Sequence, residues 1–181
     1  MSWQIDYAHS EILFSVKHMM IATVRGRFEK FNVNVDYNEA DPTRSHVEVQ
    51  IDADSINTRE AQRDGHLRSP DFLDAPNYPY LTFVSKRIEK VDDQHGRIIG
   101  DLTIRGITHE VVLEAQYVGQ AKSPWGATSA GFNATTKIDR TKWGLNWNHL
   151  LEAGGVLVGN DITVNIELEL IKQPEAELAT T

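Results

Sequence analysis

Most of the chain alternates between apolar and polar residues with the two-residue period of a β-strand, and little of it repeats every three to four residues. The clearest run covers residues 162–170, where Ile, Val and Leu at every second position alternate with Thr, Asn and Glu. Comparable runs lie at 12–18, 31–37, 47–53, 81–90, 102–105, 111–117 and 130–138. The sequence therefore predicts about eight strands, each with one face in water and one face buried.

Short turn signals separate these runs and predict that neighbouring strands are antiparallel. Asn, Asp, Gly and Pro cluster at 38–42, 92–96 and 159–161, and connections of this length join strands through hairpins. Parallel pairing would need longer crossovers, which usually contain a helix. The predicted fold class is all-β, with an antiparallel sheet that closes into a barrel or folds into a sandwich to cover its apolar face.

Two segments interrupt the strand pattern. In residues 55–79, Ser69 is typical of a helix N-cap, Pro70 of a first helical residue and Asp71 of a first-turn acid, so we expect a short helix to begin there. Residues 140–160 are rich in Trp, Leu and Gly and too apolar to remain in water. We expect this second segment to pack over an end of the sheet or to turn its aromatic side chains into a cavity.

Composition and net charge exclude several kinds of site and binding partner. The 181 residues, 40% of them apolar, suit one domain with a sizeable core. The absence of cysteine excludes disulfides, thiolate metal sites and thiol nucleophiles. A net charge of −8 repels phosphate backbones, so we expect no nucleic-acid partner. No run approaches the ~18 apolar residues that cross a bilayer, so we expect no stable membrane insertion.

The two ends of the chain and the predicted strands bear on location, domain bounds and oligomeric state. Residues 1–6 show no basic segment leading into an apolar one, so the sequence as it stands suggests no secretory leader and a cytoplasmic location. Residues 172–181 are polar and are predicted to form a tail to a single domain, 1–171. Long strands leave surface that a twofold contact could cover, so a homodimer is compatible with the sequence.

No set of residues points to catalysis. The seven histidines include no His-x-His or His-Glu-x-x-His pair, and neither Gly-x-Ser-x-Gly nor a phosphate-binding glycine loop is present. Asp64 and His66 could share a face of an extended segment, which leaves a metal-assisted or small-molecule hydrolase open as an alternative. A polar loop pair without a catalytic role explains the same two residues. We therefore predict no catalytic residue, no metal and no cofactor.

Large apolar side chains gather near the predicted strand ends. The eight strands would enclose an interior that either fills with side chains or holds one small ligand. Methionine beside such an interior adapts to a flexible apolar guest, because its side chain is unbranched and polarizable. A filled interior would instead leave these aromatics to form a partner surface, as in an interaction module. The residues alone leave both interpretations open.

An ordered set of short motifs resembles the YceI-like, polyisoprenoid-binding proteins. The set covers roughly residues 3–171, and four of its motifs are the longest. They are Trp3-x-Ile5-Asp6-x-x-His9-Ser10, Arg63-Asp64-x-His66-Leu67-Arg68-Ser69-x-Asp71-Phe72, Gly100-x-Leu102-x-Ile104-x-Gly106-x-Thr108 and Gly144-Leu145-x-Trp147-Asn148. The resemblance implies a lipocalin-like barrel of eight antiparallel strands with a short helical insert at about 59–76. It also implies a long apolar bore for an isoprenoid or fatty-acyl chain, without catalytic residues.

The expected function is non-enzymatic binding, transport or storage of a polyisoprenoid, an isoprenoid quinone or a fatty-acid-like lipid. For the polar end of such a ligand we expect His18, Arg63 and His66, since the guanidinium of Arg63 suits a phosphate. The apolar wall is expected to comprise Phe14, Val16, Met20, Phe28, Phe31, Phe72, Phe83, Phe132, Trp143, Leu145 and Trp147.

Overall fold

The computed structural model describes residues 2–152 and 154–172, and eleven strands in these ranges form one antiparallel sheet. The strands are β1 (Trp3–Ile5), β2 (Glu11–His18), β3 (Ala22–Phe28), β4 (Phe31–Asp36), β5 (His46–Asp52), β6 (Ile56–Asn57), β7 (Tyr80–Lys90), β8 (His95–Ile104), β9 (Ile107–Lys122), β10 (Thr128–Asp139) and β11 (Val158–Lys172). Apart from Lys172, the tail predicted at 172–181 lies outside the described residues.

The order across the sheet is β4-β5-β7-β8-β9-β10-β11-β2-β3-β6, and β1 pairs with β11. The predicted all-β, antiparallel fold is therefore confirmed, but the count of eight strands is too low. Three strands were not predicted: β1 and β6 are only three and two residues long, and in β3 a glycine at an inward position, Gly26, interrupts the apolar alternation.

The sheet curls strongly into a half-open, lipocalin-like barrel. Irregularities in pairing at Gly131/Phe132, Ser85/Arg87 and Val158/Ile162 help this curvature, because an extra residue on one strand bends it. The seam beside β4 is bridged by a side chain from the turn after β1. The Tyr7 hydroxyl donates to Asn32 Oδ1 at 2.9 Å and accepts the backbone N–H of Val33 at 3.2 Å.

The only α-helix in the described ranges, α1 (Ala61–Arg68), lies inside the predicted insert at 59–76, but its start was wrongly predicted. The Glu60 carboxylate caps the helix by accepting the backbone N–H groups of Gln62 and Arg63 at 3.2 and 3.1 Å. Ser69 follows the last helical residue, and its hydroxyl donates to the His66 carbonyl at 2.6 Å. Pro70 disfavours helical backbone at Ser69, so the helix ends where we expected it to begin.

One end of the barrel, here called the mouth, carries α1, the turns at 69–79, the β2–β3 turn and the connection at 140–157. At the opposite end, here called the far end, β1 begins and β11 finishes. The described residues form two core clusters: a large one inside the barrel, and a small one built on Trp3, Ala130 and Leu170 at the far end. Among the described residues, no helix combines the length and hydropathy needed to cross a bilayer.

Candidate ligand-binding cavity

The barrel is hollow and encloses a cavity of about 590 Å³. Its wall consists mainly of aliphatic and aromatic side chains, and every strand except β1 contributes to it. This volume lies within the roughly 300–1,000 Å³ that is typical of small-molecule sites. The residues alone were compatible with either a filled or a hollow interior, and the structure shows a hollow one.

Ten of the predicted site residues line this cavity. Its wall includes Phe14, Val16, His18, Phe28, Arg63, His66, Phe72, Phe83, Leu145 and Trp147. These residues come from strands, from α1 and its following turn, and from the 140–157 connection, so distant parts of the sequence meet in one site. The expectation that this connection turns an aromatic side chain into a cavity is met by Trp147.

Two glycines make room for aromatic rings in the wall. Gly26 on β3 stands opposite Phe14 on β2, and a Cβ at position 26 would collide with the Phe14 ring. Gly100 on β8 pairs with Ser85 on β7, and a Cβ at position 100 would collide with the ring of the nearby Phe83. The absence of a side chain at these positions therefore lets large rings lie flat against the neighbouring strand and face the cavity.

Four other predicted wall residues lie outside the cavity lining, and two of them pack with tyrosines. The Phe31 ring rests on Tyr7 with centroids 5.7 Å apart, at the seam of the barrel. The Phe132 ring lies between Tyr37 and Tyr117, at centroid distances of 5.2 and 5.4 Å. Their inward parity was identified correctly, but Phe31 packs on Tyr7 and Phe132 packs between two tyrosines, and neither ring lines the open space.

The remaining two predicted wall residues also lie outside the cavity lining: Trp143 is buried behind the wall, and Met20 is exposed at the surface. Trp143 is fully buried, its Nε1 donates to the Leu102 carbonyl at 2.9 Å, and its ring packs edge-on against His109. Met20 is 65% exposed in the β2–β3 turn, where its φ of 61° belongs to the left-handed region. Its sulfur contacts Gly155 of the 140–157 connection, so it belongs to the outer rim of the mouth.

Most of the aliphatic wall was not assigned to the site from the sequence. The alternation on β11 indicated that Ile162, Val164, Ile166 and Leu168 share a face, and all four line the cavity. That signal places a residue on the inner face but does not distinguish a packed interior from an open one. Arg140 also lines the cavity, and nothing in its local sequence pattern marked it as a cavity residue.

Aromatic side chains close the far end of the cavity. Trp3 contacts Tyr37 at a centroid distance of 5.5 Å, and Tyr37 in turn contacts Phe132. On β11 the cavity lining stops at Leu168, whereas Leu170 is buried against Trp3. Burial in this cluster raises the pKa of the Tyr37 hydroxyl, which therefore stays neutral. The cavity is thus blind at this end.

Polar groups in the cavity lining gather mainly at the mouth, around a network on α1. The buried Asp64 carboxylate accepts the backbone N–H of Thr58 at 2.8 Å and also the Thr58 hydroxyl. The Thr58 oxygens accept from Arg63, with Nε to the hydroxyl at 2.8 Å and Nη2 to the carbonyl at 2.7 Å. This network fixes the plane of the Arg63 guanidinium at the edge of the apolar space.

Arg140 is the most buried cation of the mouth, at 2% exposure. Its Nε donates to the Gly159 carbonyl at 2.9 Å, and its Nη1 and Nη2 donate to the carbonyls of Leu145 and Val158. Burial lowers the pKa of Arg140, while Asp139 acts in the opposite direction. An arginine nevertheless keeps its proton in a protein, so a permanent positive charge borders the cavity.

The Asp64 and His66 pair proposed for a hydrolase does not form. Both residues lie on α1, where positions two apart do not face each other, so the expected extended segment was wrong. The His66 Nε2 contacts Asp71 at 2.9 Å, and its ring packs edge-on against Trp147. Among the described residues, the one set of three ligand-type side chains close enough for a metal is Asp6, His9 and Glu169, outside the cavity lining.

Comparison with solved structures agrees with this architecture. The YceI protein of Campylobacter jejuni is 32% identical, with a TM-score of 0.72, and the match covers 87% of this chain and 90% of that chain. A polyisoprenoid-binding domain from Saccharophagus degradans is 14% identical, with a TM-score of 0.66, and the match covers 96% of this chain and 99% of that chain. The second similarity shows the fold alone.

Comparison of sequences gives the family. A UPF0312 protein of Staphylococcus aureus is 36% identical over 169 residues, which is 93% of this chain and 96% of its relative. The family model described as a YceI-like domain matches residues 3–170. The blind apolar cavity, the shared barrel and this match over nearly the whole chain agree, and the protein belongs to the YceI-like family.

Proposed function

We propose that this protein binds a single long-chain apolar ligand inside the barrel and carries or stores it without changing it chemically. The observation that carries the proposal is the cavity of about 590 Å³ with its apolar wall. The ligand class is a polyisoprenoid, an isoprenoid quinone or a fatty-acid-like lipid. The polyisoprenoid-binding domain named above has the same fold, which supports this class.

The volume of the cavity limits the length of chain that it can hold. Water in bulk occupies roughly 30 Å³ per molecule, so the cavity corresponds to about twenty water-sized volumes. Because a chain carbon has a similar volume, about twenty heavy atoms would fill the cavity. A longer isoprenoid would leave its remaining units outside the mouth.

Removal of the chain from water supplies the driving force. Each buried methylene contributes about 0.8 kcal/mol, which corresponds to roughly a fourfold gain in affinity per carbon. The flexible chain loses conformational freedom on binding, and this loss reduces the gain. We therefore expect affinity to rise with chain length until the cavity is full and then to level off.

The hydrogen bonding of the mouth supports binding without catalysis. The Thr58 hydroxyl donates to Asp64 and accepts from Arg63, so it is held in a structural network. The His66 ring, which lies nearby on α1, is paired with Asp71. Among the described residues, no histidine accepts the Thr58 proton, so the His–hydroxyl pair that commonly activates a hydroxyl nucleophile is not formed here.

Extraction of the purified protein with organic solvent, followed by mass spectrometry, tests the proposal directly. The expected result is one class of long-chain lipid in a near-equimolar amount. After removal of that lipid, a series of primary alcohols from eight to twenty-four carbons should bind with the length dependence described above. An empty extract together with no saturable binding of any alcohol would reject the proposed function.

A further inference from the structure

The cavity lining reverses the sign of the protein's charge. The chain as a whole carries a net charge of −8, but the lining includes two arginines, Arg63 and Arg140, and only one acid, Glu60. Lys17 also borders the lining, but its amine donates to the Thr23 hydroxyl on the surface. The Glu60 carboxylate is already engaged by two backbone N–H groups at the start of α1. An apolar space with an excess of positive charge at its mouth is suited to a ligand that ends in a negative group.

Arg63 has hydrogen-bonding capacity left for such a group. Its Nε and Nη2 are held by Thr58, whereas its Nη1 has no hydrogen-bond partner among the described residues. Because the other two nitrogens fix the plane of the guanidinium, the Nη1 donors are preorganised instead of free to rotate. Preorganised donors bind an oxyanion with a smaller loss of conformational freedom.

Arg140 adds a buried charge that no acid contacts directly, although the charge of Asp139 acts on it through space and the centroid of the Phe72 ring lies 5.9 Å from its guanidinium carbon. Its hydrogen bonds all go to backbone carbonyls, and it forms no ion pair within the part of the chain that the structure describes. The nearest acid in sequence, Asp139, is held instead by the backbone N–H and hydroxyl of Thr141 at 3.0 and 2.6 Å. A buried cation is costly without a counter-ion, and an anionic ligand group would supply one.

We propose that the ligand is an amphiphile with an acidic head group, a carboxylate or a phosphate, which Arg63 binds through Nη1 while Arg140 supplies long-range attraction. This inference rests on the proposed function, since it assumes a chain in the cavity. The head group stays at the mouth, and the chain extends toward the aromatic cluster of Trp3, Tyr37 and Phe132.

Three ligands of equal chain length test the proposal. Hexadecan-1-ol, hexadecanoate and hexadecyl phosphate are each used at pH 8 to displace the neutral fluorescent probe N-phenyl-1-naphthylamine from the delipidated full chain. We expect at least one acidic ligand to bind about tenfold more tightly than the alcohol, as for one charge-assisted hydrogen bond. The tighter of the two acids identifies the head group as carboxylate or phosphate.

The variant Arg63→Gln separates recognition of the head group from binding of the chain. It should weaken the preferred acid about tenfold and leave the affinity for hexadecan-1-ol within twofold. Arg63→Lys keeps the charge but loses the fixed fork of donors, so it should recover only part of the loss. Arg44 lies in the turn between β4 and β5, outside the cavity lining and on the side of the far-end cluster. Arg44→Gln removes the same charge there and should leave all three affinities unchanged.

The outcomes separate this inference from the proposed function. If wild-type protein binds all three ligands equally, the acidic head group is rejected while the carrier function stands. If none of the three binds, the proposed function itself fails. If Arg63→Gln weakens the alcohol as much as the acid, Arg63 supports the structure of the mouth and the inference is rejected. An Arg140→Gln variant that still melts cooperatively should weaken the preferred acid and not the alcohol, and an unchanged preference for the acid would reject the role of Arg140.

Discussion

Gly26 on β3 lies directly opposite Phe14 on β2, and the Phe14 ring occupies the space that a side chain at position 26 would need. The variant Gly26→Ala should therefore force the ring or the neighbouring Thr58 to move. We expect a loss of about 1–3 kcal/mol in the free energy of unfolding, as for other overpacked cores. Equilibrium unfolding in urea measures the change.

Gly65 provides the matched control for this substitution. It lies within α1, and a Cβ at this position would have no neighbour within 4 Å. Because glycine weakens a helix relative to alanine, Gly65→Ala should raise the free energy of unfolding by about 0.5–1 kcal/mol. Equal effects of the two substitutions would contradict the close approach between Gly26 and Phe14.

Filling the cavity should abolish ligand binding without loss of the fold. Ala134 on β10 lines the cavity, so the ring introduced by Ala134→Phe would fill part of the cavity volume. We expect at least a tenfold loss of affinity for hexadecan-1-ol and a preserved cooperative melt. The adjacent Asn133 is exposed on the outer face, and Asn133→Phe should leave the affinity unchanged. Similar losses in both variants would argue against the cavity as the binding site.

The aromatic cluster at the far end should set the maximum chain length. Phe132→Ala removes a ring that contacts both Tyr37 and Tyr117. The free energy of unfolding should fall by about 2–4 kcal/mol, because a cavity is left behind. The chain length at which alcohol affinity levels off should increase by several carbons.

Trp125 offers a control for this variant among the aromatic residues. It is 90% exposed, so Trp125→Ala should change the free energy of unfolding by less than about 0.5 kcal/mol. It should also leave the length profile of the alcohols unchanged. An unaltered profile in Phe132→Ala would show that the cluster does not limit the ligand.

His9 should make part of the stability depend on pH. A hydrogen bond to Asp6 raises the pKa of His9 above 6.5, and the charges of Asp6 and Glu169 act in the same direction. The group therefore stabilises the fold fully below pH 6.5 and loses this contribution as the pH rises through the raised pKa. Urea unfolding of wild-type and His9→Gln at pH 5.5 and 8.5 should show a larger difference between them at pH 5.5.

Asp6 is the partner that this prediction requires. In Asp6→Asn the side-chain oxygen can still accept the backbone N–H of Ala8, but its negative charge is gone. The pH-dependent difference produced by His9→Gln should be much smaller in this background. An equal difference in both backgrounds would assign the effect to another group.

Sequence periodicity was sufficient to locate eight of the eleven strands, because the barrel buries one face of each. The alternation at 162–170 corresponds to the inner face of β11, whose residues from Ile162 to Leu168 line the cavity. Very short strands such as β6 contain too few residues to show a period. Alternation alone did not distinguish a barrel from a sandwich, or a hollow interior from a filled one. The resemblance to the family motifs predicted the barrel and its apolar bore.

Tertiary contacts explain where the sequence was insufficient. The start of α1 depends on a Glu60 cap, and Ser69 with Pro70 gives an equally good local signal at the wrong end. Whether an inward ring lines the cavity or plugs it depends on neighbours far along the chain, as Phe132 and Tyr37 show. Arg140 is held by the carbonyls of residues up to nineteen positions away, which no local pattern indicates.

Under the proposed carrier function, the aromatic closure at one end of the barrel determines the direction in which a ligand enters and leaves. Because the cavity has a single opening, an amphiphilic ligand would enter with its apolar tail first and leave with its polar end first. An acceptor at this opening, whether a membrane or another protein, would therefore contact the polar end while the apolar chain is still shielded from water. The protein would thus pass on its contents in one fixed orientation.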